Sequence, residues 1–93
     1  MLAGGFDEVK EIDEETKILA LNMKEKAEEM LGETFEVFEP ILYTTQVVAG
    51  TNYVIKVHIG GHNYIHISVL IEVKKEDIID VKVFSDKKLN DQL

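Results

Sequence analysis

The chain has no cysteine, no arginine, no tryptophan and only one proline among its 93 residues. Without cysteine there is no disulfide scaffold, no thiolate-bound metal and no thiol nucleophile. Every basic residue is a lysine, and 18 acidic against 10 basic residues leave a formal charge of -8. That balance argues against nucleic acid, which needs a cationic surface and favours the bidentate guanidinium. No apolar run reaches the roughly 18 residues of a membrane-spanning helix, so no membrane role is expected. The start, Met1-Leu2-Ala3-Gly4-Gly5-Phe6-Asp7-Glu8, lacks the basic end and apolar stretch of a secretory leader, so a cytoplasmic location is expected. What is present is enough apolar material, 45% of residues, for one core in one domain over 1–93.

Residues 1–11 show no period around Gly4-Gly5 and read as an N-terminal arm. From Asp13, an apolar stripe of Leu19, Ala20, Met23, Ala27, Met30 and Leu31 recurs at three- and four-residue steps. This predicts one long helix over 13–32, opened by an Asp13 N-cap with Glu14 and Glu15 against the dipole and closed by Gly32. The period then falls to two. Alternating apolar residues over 35–84 predict strands joined at Ala49-Gly50-Thr51-Asn52, Gly60-Gly61-His62-Asn63 and Lys74-Lys75-Glu76-Asp77. Pro40 marks a strand start, edge or bulge. Residues 85–93 form a polar tail with Leu89 and Leu93 as candidate anchors. Helix first and strands after gives an α+β fold, an antiparallel sheet covered by the helix on one face and open to solvent on the other.

The chain offers little reactive chemistry. Ser68, Ser85 and the threonines have no glycine-rich elbow beside them, so no catalytic residue is assigned and no enzyme is expected. If Ile55 and Val57 share a face with Ile65 and Ile67, then His58 and His66 point outward. With His62 in a turn, these are read as exposed histidines and no metal site is expected, since zinc needs three or four converging ligands. One hairpin is unusual. Gln46-Val47-Val48-Ala49-Gly50 places two valines and an alanine where turns are ordinarily polar. Neighbouring residues on a strand face opposite sides, so at least one of Val47 and Val48 is exposed.

Gln46-Val47-Val48-Ala49-Gly50 resembles the QVVAG signature of the cystatins. Its setting, Thr45 through Tyr53 followed by Ile55-Lys56-Val57, is similar to that of the stefins, the single-domain, disulfide-free, intracellular branch. Gly4, the helix length, and Tyr64 with His66 extend the likeness. The resemblance implies a cystatin-like fold, with one long helix across a twisted antiparallel sheet of four to five strands. It implies a reversible, tight-binding competitive inhibitor of papain-like, cathepsin-type cysteine proteases that needs no cofactor. Leu2 and Ala3 would lie on the non-primed side of the protease cleft, Gly4 would pass near the catalytic cysteine, and Val47, Val48 and Ala49 would block the primed side, with Gly5, Gln46 and Gly50 also among the protease-binding residues. A second hairpin at Val73 and Lys74 would complete the wedge. Stefins usually carry Leu-Pro there, so this shorter, charged loop departs from the pattern. A monomer is expected. The alternative is a non-inhibitory interaction module on the same fold, or a domain-swapped dimer built through an open sheet edge.

Overall fold

The computed structural model describes residues 6–93. A short edge strand β1 (Lys10–Glu11) precedes two helical segments, α1 (Glu14–Asn22) and α2 (Lys24–Leu31). Four strands follow: β2 (Glu39–Val48), β3 (Gly50–His58), β4 (Tyr64–Ile71) and β5 (Ile78–Lys87). They make one antiparallel sheet in the order β1-β2-β3-β4-β5. The helical layer crosses its inner face, α1 over β2 and α2 over β5. Ile55, Val57, Ile65, Ile67 and Val69 close the core against Ala20, Met23 and Ala27. The small residues on the helix let its backbone approach the branched strand residues closely, and the fold is α+β.

Asp13 caps the helix start as its residue type suggests, one carboxylate oxygen accepting from the Thr16 amide at 2.8 Å. The other oxygen accepts from the Tyr43 hydroxyl, also at 2.8 Å, and so ties the cap to β2. Hydrogen bonding from Thr16, then from Tyr43, holds the Asp13 carboxyl below the usual carboxylate range. The same bond, reinforced by burial, pushes the Tyr43 phenol up.

Four details differ from the sequence reading. The helix over 13–32 is interrupted at Met23, whose amide donates to Ala20, one residue tighter than the α pattern. Met30, assigned to the buried stripe, is exposed. The arm over 1–11 is not free throughout: the Asp7 amide donates to Thr45 at 2.8 Å, Phe6 bridges Gln46, and Lys10 and Glu11 pair with Tyr43 and Leu42. No alternating pattern marked this segment, because an edge strand with exposed side chains has no face to bury. The sheet also runs past 84. β5 continues to Lys87 through a bulge in which Asp86 takes φ 58°, and the chain then turns across the sheet's outer face.

That turn corrects two further expectations, an outer face open to solvent and an exposed His66; His62 is exposed as expected and His58 is half-buried. Lys56 points away from the helix, yet it is only 1% exposed. Its ammonium donates to the carbonyls of Lys88 at 2.9 Å, of Leu89, and of Asp91 at 2.6 Å. The tail is thus anchored by its backbone on a lysine. Leu89, a candidate anchor, is exposed, and Leu93 is half-buried. Lys56 pairs in register with His66, and His66 with Phe84. His66 is 3% exposed. Burial, with the charges of Lys56 and Lys87 outweighing that of Asp91, lowers its pKa to about 4. Burial also draws the Lys56 pKa down, against Asp91.

Between about pH 6.5, the ordinary value, and about pH 4, the unfolded chain binds the His66 proton and the folded chain does not. Stability from this residue is complete above that window and declines by about 3 kcal/mol as pH falls through it. Urea unfolding at pH 7 and pH 4.5 checks this. His66→Gln is expected to flatten the decline, and an unchanged slope in the variant assigns the acid sensitivity elsewhere.

Candidate functional site

The sheet's register brings the unusual residues to one end. β2 and β3 pair as Val47 with Thr51 and Val48 with Gly50, so the hairpin pivots on Ala49. From Gln46 to Ile55 the chain carries no charge. Both valines are exposed, Val47 at 66% and Val48 at 42%. Periodicity required only one of them outside; the strand pair extends beyond the helical layer, so neither finds a core.

Gly50 has a steric reason. A Cβ there would stand 2.5 Å from the Ile71 carbonyl oxygen, well inside contact distance. Any side chain would push β3 away from the start of the next hairpin. This contact brings the two tips together: Thr51 pairs with Ile71, and the loop over 72–77 follows directly. Within that loop the Glu72 amide donates to Asp77 at 2.8 Å and the Glu76 amide to Glu72 at 3.0 Å, with Glu76 at φ 56°. Val73 is 69% exposed at this end, and Lys74 and Lys75 stand in solvent beside it.

The third element comes from the other flank. Running backwards from Lys10 opposite Tyr43 to Phe6 opposite Gln46, the N-terminal segment ascends β2 towards the same tip. Leu2, Ala3, Gly4 and Gly5 lie outside the described residues. Gln46, Val47, Val48, Ala49, Gly50, Val73 and Lys74 therefore share one end of the molecule, and the chain reaches that end at Phe6. Sequence reasoning missed the β2 pairing of Phe6 and Asp7, although Thr44 holds it firmly: its hydroxyl donates to the Asp7 carbonyl at 2.6 Å.

At this end the exposed Val47-Val48-Ala49 tip is uncharged and apolar, with the charged loop over 72–77 beside it. A concavity of about 730 Å³ lies at the opposite end, between Leu31, Phe35, Ile59, Tyr64 and Asp86. An apolar projection suits insertion into a partner's cleft, whereas a catalytic centre is ordinarily a concave pocket with convergent polar groups. No group of three or more histidine, cysteine, aspartate or glutamate residues could hold a metal among the described residues. No helix among them is long and apolar enough to cross a membrane.

Comparison with known proteins agrees with the sequence resemblance. Residues 4–92 match the model of the cystatin domain. The chain is 52% identical to leukocyte cysteine proteinase inhibitor 1 of Sus scrofa over 69 residues, which is 74% of this chain and 67% of that protein. It is similar along its whole length to cystatin-B of Paralichthys olivaceus, at 40% identity over 95 aligned positions covering 97% of that protein. Cystatin-A of Homo sapiens is 37% identical over the same span, again with 97% of that protein covered.

Proposed function

Because this chain belongs to the cystatin family, in its stefin branch, we propose that it is a reversible, tight-binding competitive inhibitor of papain-like cysteine proteases. Family members inhibit proteases and are not enzymes, and this chain is no exception. The observation that carries the reading is the uncharged, exposed Val47-Val48-Ala49 tip, flanked by Val73 on one side and the Phe6 segment on the other.

The tip enters the cleft beside the catalytic cysteine and excludes substrate. Val47 and Val48 lose water on docking, each contributing about 1.5–3 kcal/mol when fully buried. A charge in their place would be stranded without a partner. Gly50 keeps the two hairpins in contact, so little conformational freedom is lost on docking. Leu2 and Ala3 fill the non-primed side, and Gly4, without a side chain, lets backbone pass close to the thiolate. The bound segment is not cleaved, because its carbonyl is held away from attack geometry. A protease–inhibitor interface of standard size, roughly 1,600 Å², accommodates these contacts. The inhibitor acts as a monomer in the cytoplasm, and it supplies blockage without a cofactor.

Titration of active papain with the full chain tests the reading. Stoichiometric loss of activity, recovered on dilution, is the expected result. Full activity with micromolar protein present overturns it.

A further inference from the structure

The outer face of the sheet holds a second concavity. A cavity of about 310 Å³ lies between β3, β4, β5 and the C-terminal segment. That volume is within the range of small-molecule sites, about 300–1,000 Å³. Its walls include Phe6, His66, Ser68, Lys82, Phe84 and Lys87, closed by Gln92 and Leu93. We propose that this cavity binds a small amphipathic carboxylate, its head group between Lys82, Lys87 and His66 and its apolar chain against Phe6 and Phe84.

Three observations support this ligand chemistry. First, the lining contains two lysines and neither aspartate nor glutamate side chains, in a chain whose net charge is -8. Among the described residues, neither lysine is within ion-pair distance of a carboxylate; the only such pair is Lys10 with Asp7. The nearby Asp91 carboxylate is engaged by the Lys88 amide at 2.8 Å, and Lys56 is held by the tail carbonyls. Second, the Nε2 atom of His66 is shielded from water and has no hydrogen-bond partner. A buried polar atom left unpaired is costly, and a ligand oxygen would offset that cost. Third, Phe6 and Phe84 are each about half exposed, an apolar surface beside a cationic one. A carboxylate placed at Nε2 would accept a hydrogen bond from the ring and favour its protonation.

Octanoate serves as the probe, with octanol as its uncharged counterpart. The full chain is titrated with each at neutral pH while the His66 and Phe84 ring signals are followed by NMR. Saturable shifts at both rings with octanoate, an upward move of the His66 pKa on saturation, and binding at least several-fold weaker for octanol are expected. Lys82→Gln with Lys87→Gln should weaken octanoate about tenfold, about threefold for each partly screened charge, while leaving papain inhibition unchanged. His66→Gln should weaken it as well, without altering the apolar walls. Absence of saturable shifts, equal binding of octanol, or unchanged affinity in the double lysine variant overturns the assignment. Octanoate binding and its loss in the variants are read whether or not the chain inhibits papain.

Discussion

In a Lys56→Met variant, the His66 ring is expected to titrate near its ordinary value of 6.5 instead of about 4. The methionine fills the space of the lysine stem but offers no donor. The carbonyls of Lys88, Leu89 and Asp91 then lose the ammonium that gathers them, and an unpaired carbonyl under cover is worse placed than one in water. Residues 88–91 therefore leave the sheet, and the ring beneath them becomes hydrated. Loss of the Lys56 charge acts in the same direction. Melting temperature is a poor readout, because the lost hydrogen bonds are opposed by the regained hydration of a charge that burial had penalised. An NMR pH titration of the His66 ring, with amide exchange at residues 88–91, reads the effect directly. A ring still titrating below pH 5, under protected tail amides, would show that something other than Lys56 holds the tail.

A carboxylate at the hairpin tip gives the largest expected loss of function. Val48→Asp is expected to raise the inhibition constant against papain about a hundredfold, equivalent to about 3 kcal/mol for a buried polar group left without a partner. Val48→Ala separates charge from lost contact, and should cost about tenfold by loss of apolar area alone. Neither change should unfold the protein: Val48 is 42% exposed, and surface substitutions ordinarily alter stability by less than about 0.5 kcal/mol. A Val48→Asp variant that inhibits within threefold of the parent would remove the hairpin from the wedge, whatever the N-terminal residues do.

Much of this was legible in residue order. The Asp13 cap, the Gly32 stop and the period-two runs located the helical region and four strands, since each depends on local geometry or on one buried face. The tip residues stood out because Val47-Val48-Ala49 violates the polarity of ordinary turns. Three features were not legible. The Met23 interruption concerns one amide choosing between two nearby carbonyls. The pairing of Phe6 and Asp7 along β2 is a backbone interaction, to which exposed side chains contribute no pattern. The burial of His66 was read in the wrong direction: alternation correctly turned it away from the helix, and outward was then taken to mean solvent, while the burial of Lys56 left no mark in the pattern.

The absence of cysteine, with the uncharged Gln46–Gly50 segment, determined by sequence alone that this is a disulfide-free fold presenting an apolar hairpin. Those properties belong to residue types and to neighbours along the chain. Only the tertiary structure decided what lies opposite them. Gly50 against Ile71 sets the two hairpins side by side, and the Asp86 bulge sends the tail across the sheet, where its carbonyls close over Lys56. A strand pattern specifies which way each side chain points, but burial on that side depends on which distant segment returns to cover it. Here the returning segment does so through main-chain carbonyls, which every sequence contains and none advertises.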